Sequence, residues 1–260
     1  MRVVIKIGTS TLTHSTGRLN IRRVELLCRV LSDLKNAGHE IILVSSGAIA
    51  MGMGKLSLPS RPTDIPGKQA AAAVGQCELM YVYDKQFSEY HHNVAQILLT
   101  VQDIEDAERR KNFENTLHRL LQWHALPIIN ENDTVATLEL GIGENDTLAG
   151  VVAISVGADL LVLLSDIDGL YDADPRTSAD ARMIPEVFDI TPEIEALAGG
   201  AGSLLGSGGM ATKIAAARDV TARGIDMVIA NGDNPLLLYE IIDGGRVGTR
   251  FLKRTVSVDE

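Results

Sequence analysis

The sequence predicts an α/β fold, a three-layer αβα sandwich in which helices cover both faces of a mainly parallel central sheet. Short apolar runs rich in β-branched residues alternate along the chain with longer segments whose apolar residues follow helical spacing. The first strand, helix and strand form a βαβ unit, which requires parallel strands joined by a right-handed crossover. Continuous apolar strands of this kind are typical of sheets that helices bury on both faces.

The first βαβ unit shows these signals clearly. The apolar run Arg2–Ile7 predicts a buried strand that enters a loop at Gly8. Apolar side chains at helical spacing predict a helix over residues 21–37, and Gly38 supplies its stop. The run Glu40–Ser45 follows directly and predicts the second strand.

The same alternation continues along the rest of the chain. No repeat of fixed period, low-complexity tract or Pro/Ser-rich linker interrupts it, so we expect a single domain over residues 1–260. A short helix is expected after residue 46. The further predicted elements are helix 67–90, strand 94–100, helix 110–124, strand 126–130, a short β-prone piece at 134–140, helix 146–156, strand 159–165, helix 209–223 and strand 226–230.

Composition and termini favour an ordinary globular protein. Of the 260 residues 45% are hydrophobic, yet no apolar run approaches the roughly 20 residues that a membrane span needs. The N-terminus begins directly in a strand, without a signal sequence, so we expect a cytoplasmic location and no membrane partner. Cys28 and Cys77 lack metal-ligand or disulfide-framework spacing, and both are interpreted as buried small apolar residues; no metal site is expected.

The charge distribution excludes several classes of function. A formal net charge of −10 argues against sequence-independent binding of nucleic acid, which needs a basic surface. Segment 159–195 contains ten acidic residues and two arginines without EF-hand spacing, and is interpreted as a solvated, loop-rich insert. The histidines lack metalloprotease spacing and no Gly-x-Ser-x-Gly motif occurs, which excludes these hydrolase classes.

Ligands of doubly wound sheets bind beyond the carboxyl ends of the strands, so the loops there are the candidate site. Lys6 lies near the end of an apolar strand, either as an edge lysine that reaches water or as an ammonium aimed at phosphate. Ser46 follows the second strand, where it is an N-cap, part of an anion-binding helix start, or both.

Two turns rich in Asn and Asp follow the fourth strand. Such residues favour turns for local reasons, but together they also supply the donors and acceptors that an amino acid's ammonium and carboxylates require. A zwitterionic substrate would suit this set. Its members are Asn130, Asn132, Asp133, Asn145 and Asp146.

Two later loops complete the candidate site. Ser165 and Asp166 end the fifth main strand. A glycine-rich stretch at 206–213 precedes a helix and is either a phosphate-binding loop or simply flexible. It is not a Walker motif because Thr212 precedes Lys213, so a Walker-type NTPase is disfavoured.

Taken together, these motifs resemble the amino acid kinase family and, within it, the glutamate 5-kinase branch. The resemblance covers nearly the whole chain in the family's order and implies the amino acid kinase fold. Many bacterial members carry a C-terminal PUA domain, for which this chain has no room, so we expect either the short form or a chain truncated before that domain, and we adopt the short form. The matching residues are 4–10, 46–50, 129–133, 145–146, 165–166, 169–171, 174–176 and 208–213.

The resemblance implies roles for individual residues. Lys6 and Lys213 would stabilise the transferring phosphoryl group, and Asp146 would hold the two ammonium groups in place, which makes these three the catalytic set. Ser46, Asp133 and Asn145 would bind glutamate. The residues implied in ATP binding are Lys6, Ser165, Asp166, Ser207, Gly208, Gly209, Met210, Ala211, Thr212 and Lys213.

The implied activity is ATP-dependent phosphorylation of the L-glutamate γ-carboxylate to L-glutamyl 5-phosphate, the first step of proline biosynthesis, with Mg²⁺ accompanying ATP. The resemblance further implies proline as a feedback inhibitor, contact with glutamate-5-semialdehyde dehydrogenase, and a homo-oligomer, either dimer or tetramer. Met80, Tyr81 and Tyr83 are candidates for that oligomer surface or for core packing. Alternatives are a kinase for acetylglutamate, aspartate, carbamate or uridylate, and a nucleotide sensor or scaffold without catalysis.

Overall fold

An eight-stranded sheet forms the centre of the protein in a computed structural model that describes residues 1–14, 18–136, 145–178, 180–198 and 209–254. The strand order is β3-β4-β2-β1-β5-β7-β8-β6, and every neighbouring pair is parallel except β7 with β8. The strands are β1 (Arg2–Ile7), β2 (Glu40–Ser45), β3 (Val94–Leu99), β4 (Leu126–Glu131), β5 (Leu160–Ser165), β6 (Glu186–Val187), β7 (Asp226–Asn231) and β8 (Thr249–Phe251).

Helices cover both faces of this sheet, which confirms the predicted three-layer fold class. Helices α2, α4 and α10 pack on one face and α6, α7 and α9 on the other, as two separate apolar clusters. The helices are α1 (Thr9–Leu12), α2 (Ile21–Asn36), α3 (Ala48–Leu56), α4 (Ile65–Ser88), α5 (Val101–Glu105), α6 (Ala107–Gln122), α7 (Asn145–Val156), α8 (Pro192–Ala198), α9 (Met210–Thr221) and α10 (Leu237–Ile242).

Strand β1 shows how the sequence divides its side chains between the two layers. Val3 and Ile5 join the cluster under α2 and α4, whereas Val4 joins the cluster under α7 and α9. Since successive side chains of a strand point to opposite faces, Lys6 shares the face of Val4 and is directed towards α7 and α9. This alternation places a charged side chain inside an otherwise apolar layer.

The predicted strands and long helices are confirmed, with ends that differ from the structure by three residues or fewer. Residues 134–136 of the predicted β-prone piece lie in or beside a turn, and residues 137–140 lie outside the described residues. Short elements were not predicted, because one turn of helix or two or three strand residues carry too little periodicity. They are α1, α5, α8, α10, β6 and β8.

Helix α4 corrects one prediction about exposure and decides another that was left open. Cys77 is exposed, so its interpretation as a buried residue is wrong, because it lies on the solvent side of α4 next to the buried Gln76. Cys28 is buried as predicted, and burial raises the pKa of its thiol. Tyr83 is fully buried in the core, whereas Tyr81 is 62% exposed.

The acidic segment agrees with its interpretation as a solvated insert. All ten of its acidic side chains are exposed except those of Asp174 and Glu186, which are half-buried. Beyond β5, the segment contains only the short elements β6 and α8 among the residues that the structure describes. No described helix is long and apolar enough to span a membrane.

Helices α3 and α4 approach each other so closely that two glycines are required between them. A Cβ atom on Gly52 would lie 1.8 Å from the carbonyl oxygen of Ala71, and one on Gly75 would lie 1.7 Å from that of Ala48. Both distances are far shorter than a van der Waals contact. The atoms that would clash belong to the backbone, which cannot move aside as a flexible side chain could. The start of α3 is therefore held directly against the middle of α4.

We expect the substitution Gly75→Ala to lower the free energy of unfolding by about 1 to 3 kcal/mol or more, since overpacking forces the two helices apart. Gly150→Ala is the matched control because a Cβ at this α7 position meets its nearest neighbour at 3.7 Å. The control should be neutral or slightly stabilising in urea unfolding. Equal stability of the two variants would show that the close approach is not required.

Candidate active site

The residues singled out from the sequence gather at the carboxyl ends of the central strands. Lys6 lies on β1, which has β2 and β4 on one side and β5 and β7 on the other. Ser46 follows β2, Asn130 lies near the end of β4, and Ser165 ends β5. The sheet order therefore divides the site into two halves with Lys6 between them.

A buried carboxylate lies between two ammonium groups at the centre of this site. Lys6 Nζ is 2.7 Å from Asp146 Oδ1, and Lys213 Nζ is 3.0 Å from Asp146 Oδ2. Asp146 is fully buried, and the lysines are only 8% and 3% exposed. The interpretation of Lys6 as an edge lysine is wrong, because β1 is a central strand and its ammonium is paired with a buried acid.

Three elements bring these charges together. Lys6 comes from β1, Asp146 from the first turn of α7, and Lys213 from the first turn of α9. Helices α7 and α9 lie against each other, and a Cβ added to Gly150 would be in ordinary van der Waals contact with Ala216 at 3.7 Å. The cluster combines two positive charges with one negative charge, so it retains a net positive charge.

The surroundings of Asp146 keep it ionised. Burial by itself raises the pKa of this carboxyl, but the charges and hydrogen bonds of Lys6 and Lys213 outweigh burial and hold the pKa below its ordinary value. Thr212 adds a hydrogen bond from its hydroxyl to Asp146 Oδ2 at 3.2 Å. Both carboxylate oxygens of Asp146 are thus engaged by side chains of the site.

The residue before this acid anchors a network of amides on the β2 and β4 side. Asn145 Nδ2 lies 3.0 Å from the carbonyl oxygen of Ser45, 2.8 Å from Ser46 Oγ and 3.1 Å from Asn130 Oδ1, so its two N–H groups are shared among three acceptors. Asn130 in turn donates from Nδ2 to Gln76 Oε1 at 2.9 Å. Two of the predicted glutamate-binding residues, Ser46 and Asn145, are therefore in direct contact.

The interpretation of Ser46 as the N-cap of the following helix is wrong. Gly47 is the N-cap of α3, with a φ angle of 100° and no side-chain capping hydrogen bond. A left-handed residue at this position favours glycine, which the sequence provides. The hydroxyl of Ser46 instead accepts the hydrogen bond from Asn145.

Asp133 lies in the turn after β4. Burial raises the pKa of its carboxyl, and the positive charge of Arg61 partly opposes this shift. Within the described chain Asp133 forms no hydrogen bond with Ser46 or Asn145. The structure therefore joins two of the three predicted glutamate-binding residues and leaves the role of Asp133 a prediction.

Apart from Lys6 on β1, the predicted ATP-binding residues that are described lie on the β5 side. Ser165 Oγ donates to Asp166 Oδ1 at 3.1 Å, and Gly232 N donates to the carbonyl oxygen of Ser165 at 2.8 Å. The glycine-rich loop ends in the first turn of α9, where Gly209, Met210, Ala211 and Thr212 lead to Lys213. Ser207 and Gly208 fall outside the described residues.

The sequence analysis named Tyr83 only as a candidate for the oligomer surface or for core packing, and it did not single out Gln76 or Asn231. Gln76 and Tyr83 lie on the buried face of α4, and the Tyr83 hydroxyl is 2.9 Å from Ser45 Oγ. The helical spacing of apolar residues does not show whether a single polar residue is buried, so the sequence did not identify Gln76 or the contact that Tyr83 makes with Ser45. Asn231 ends β7 and donates to Asp168 Oδ1 at 2.6 Å; the rule that sites follow strand ends would have found it.

Comparison with known proteins agrees with this architecture. The amino acid kinase family matches residues 1–231. Glutamate 5-kinase from Clostridium perfringens is 52% identical over 257 residues, which cover 97% of this chain and 96% of that protein. Glutamate 5-kinase from Moorella thermoacetica is 54% identical over 253 residues, which cover 97% of this chain and 67% of that protein.

Solved structures show the same fold at low sequence identity. Carbamate kinase from Giardia lamblia bound to AMP-PNP superposes with a TM-score of 0.70 at 18% identity, covering 97% of this chain and 98% of that one. UMP kinase from Bacillus anthracis has a TM-score of 0.65 at 16% identity, covering 98% and 96%.

The chain belongs to the amino acid kinase family. Within that class its sequence identities to full-length relatives place it among the glutamate 5-kinases, which confirms the resemblance found in its motifs. The acetylglutamate, aspartate, carbamate and uridylate kinase alternatives, and the interpretation as a sensor or scaffold, are correspondingly disfavoured.

The substitution Asp146→Asn should lower the free energy of unfolding at pH 7 by about 3 to 5 kcal/mol, because it leaves buried ammonium groups without their counter-charge. The folded-state pKa of Asp146 is lowered, so its contribution is complete above the unfolded pKa of about 3.9 and disappears as the pH falls through the folded value. Urea unfolding at a series of pH values measures both effects.

Asp84→Asn, at an exposed position of α4, is the control and should match the wild type at every pH. The difference in the free energy of unfolding between the wild type and Asp146→Asn should become smaller under acid conditions, since a protonated aspartic acid resembles asparagine. Equal free energies of unfolding of the two proteins at neutral pH would contradict the ion-pair interpretation. A difference that stays the same at every pH would also contradict it.

Proposed function

We propose that the chain catalyses the ATP-dependent phosphorylation of the γ-carboxylate of L-glutamate to L-glutamyl 5-phosphate, the first step of proline biosynthesis. The observation that carries this proposal is the position of the buried Lys6–Asp146–Lys213 cluster beside the amide network of Asn145. One peptide bond joins Asn145 to Asp146, so an acceptor bound at the network lies next to the positive charges.

The chemistry needs no general base. The γ-carboxylate of glutamate has an ordinary pKa of about 4.3, so it is already an ionised nucleophile at neutral pH. The barrier is electrostatic instead, because an anion must approach the anionic γ-phosphate in line. Fixed positive charges that neutralise the equatorial oxygens lower this barrier.

In the proposal Lys6 and Lys213 supply these charges. They come from different elements, and Asp146 accepts from both, which fixes the separation of the two ammonium groups before ATP binds. Preorganised charges need no reorganisation during the reaction and are therefore effective in stabilising a transition state. The net positive charge of the cluster also suits an anionic ligand.

The two halves of the site are assigned to the two substrates. Ser46, Asp133 and Asn145 bind glutamate on the β2 and β4 side, and Ser165, Asp166 and the start of α9 bind ATP on the β5 side. The AMP-PNP bound to the structurally similar Giardia carbamate kinase supports a nucleotide site in this fold. The roles of Ser207 and Gly208 remain predictions from the resemblance.

Kinases of this kind use ATP with a divalent metal, which we propose to be Mg²⁺. The described residues contain no group of three or more His, Cys, Asp or Glu that could hold a metal ion, and both oxygens of Asp146 are engaged by lysines. The ATP phosphates and water therefore supply most ligands of Mg²⁺, which prefers oxygen ligands and retains water. When bound, the ion would neutralise phosphate charge.

The remaining inferences from the resemblance stay predictions. They concern inhibition by proline, contact with glutamate-5-semialdehyde dehydrogenase and assembly into a dimer or tetramer. The cytoplasmic location and the single-domain organisation, which were expected from the sequence pattern, also stay predictions. The exposed Tyr81 on α4 is compatible with a contact surface, whereas the buried Tyr83 is not.

Trapping the acyl phosphate with hydroxylamine tests the proposed function. The purified chain is incubated with ATP, Mg²⁺ and hydroxylamine, and each reaction contains glutamate, N-acetylglutamate, aspartate or UMP. We expect hydroxamate and ADP only with glutamate. Hydroxamate with another acid, or ADP release with UMP alone, would contradict the proposal, as would ATP binding without turnover of any acceptor.

Lys6→Ala and Lys213→Ala should each lower kcat by on the order of 10²-fold or more, since each removes a charge that stabilises the transition state. Asp133→Ala provides the contrast: it should raise the KM for glutamate and leave the KM for ATP nearly unchanged. Steady-state kinetics with the hydroxamate assay measure both effects. Turnover like that of the wild type in both lysine variants would contradict the assignment, and an Asp133→Ala effect confined to ATP would reverse the two halves of the site.

A further inference from the structure

A buried glutamine contacts the amide network of the proposed glutamate site. Gln76 occupies the buried face of α4 and is only 8% exposed. Its Oε1 accepts a hydrogen bond of 2.9 Å from Asn130 Nδ2, a side chain 54 residues away in the sequence. Asn130 is itself 2% exposed, so this contact joins two amides inside the protein.

Neighbouring backbone groups identify which terminal atom of Asn130 and of Asn145 is the oxygen and which is the nitrogen. The N–H of Glu131 donates to Asn130 Oδ1 at 2.9 Å, which identifies that atom as the oxygen and directs Nδ2 towards Gln76. The carbonyl oxygen of Ser45 faces Asn145 Nδ2 at 3.0 Å, which requires a donor there. A backbone N–H can only donate and a carbonyl can only accept, so neither Asn side chain can be flipped.

This orientation leaves one acceptor unused. Asn145 Oδ1 is buried and accepts no hydrogen bond within the part of the chain that the structure describes. Such an atom needs a donor, since a buried polar group without a hydrogen-bond partner is destabilising. At neutral pH the two carboxylates of glutamate are ionised and cannot donate, so its ammonium is the only donor that it offers.

The position of Gln76 is fixed by its helix. Gly75, the neighbouring residue, packs directly on the carbonyl oxygen of Ala48 at the start of α3. Two turns further along α4, the Tyr83 hydroxyl lies 2.9 Å from Ser45 Oγ. Contacts on both sides therefore prevent α4 from sliding relative to β2 and the start of α3.

We propose that Gln76 is a positioning residue that holds Asn130 and, through it, orients Asn145 so that Asn145 Oδ1 accepts from the substrate's ammonium. Without an acceptor at position 76, the buried Nδ2 of Asn130 loses its partner and the side chain rotates to find another. Asn130 Oδ1 then no longer faces Asn145 Nδ2. The inference rests on the proposed function, because it concerns recognition of glutamate at the same site.

The substitution Gln76→Met tests this role, since methionine has a similar volume but offers no comparable acceptor. We expect the KM for glutamate to rise by about 10-fold, in line with one weakened hydrogen bond to a charged group, and the KM for ATP to stay unchanged. Glutarate, which lacks the ammonium, should keep its inhibition constant in this variant. The selectivity for glutamate over glutarate then falls by the same factor.

Gln86→Met is the matched control, because Gln86 is a half-buried glutamine of α4 for which the structure gives no hydrogen bond to the described residues. It should leave all constants unchanged. Gln76→Met is also made in an Asn130→Ala background, where it should have no further effect on the KM for glutamate. Such non-additivity is expected only if Gln76 acts through Asn130.

The outcomes separate this inference from the proposed function. A wild-type enzyme without glutamate-dependent hydroxamate would overturn the proposed function. An active wild type with equal constants for Gln76→Met and Gln86→Met would overturn the role of Gln76 alone. A lower melting temperature without a change in selectivity would show a merely structural role, and additive effects in the double variant would show action independent of Asn130; either overturns the inference.

Discussion

The site depends on one buried carboxylate that lies between two ammonium groups. Asp146 is fully buried, and its two oxygens contact Lys6 and Lys213 at 2.7 and 3.0 Å. No single element could present both lysines in this way, so the interaction ties β1, α7 and α9 together. The same pairing makes it possible to bury two cations, because unpaired charges are rarely tolerated in a protein interior. In the proposed reaction, Lys6 and Lys213 are the groups that stabilise the transferring phosphoryl group.

Sheet topology places the two proposed substrate sites on either side of this cluster. β1 lies between the strands that carry the amide network and those that carry Ser165 and Asn231. Asn145 and Asp146 are consecutive residues at the start of α7. The side chain of Asn145 contacts Ser46 in the amide network, and the side chain of Asp146 contacts the lysines. The distance between the amide network and the positive charges is therefore set by two adjacent backbone positions. Helices α3 and α4 support the side of the site that contains the amide network.

Local signals in the sequence were sufficient for the central strands, the long helices and the strand and helix ends that contain Lys6, Asn145 and Lys213. Apolar runs and helical spacing identify buried elements, and the strand-end rule identifies where ligands bind. The contacts between particular side chains could not be predicted from these local signals. Ser46 resembled an N-cap because that role depends on the conformation of Gly47, and Gln76 resembled any other helical glutamine because its partner Asn130 is distant in the sequence. Only the packing of α4 on α3 and β2 reveals these contacts.

The most direct test of the account is the kcat of Asp146→Asn, measured with saturating ATP and glutamate at a temperature where the variant is folded. If Asp146 sets the positions of both ammonium groups, kcat should fall by on the order of 10²-fold or more although both lysines are still present. A folded Asp146→Asn variant that keeps the kcat of the wild type would show that the lysines do not depend on this carboxylate, and would contradict the account.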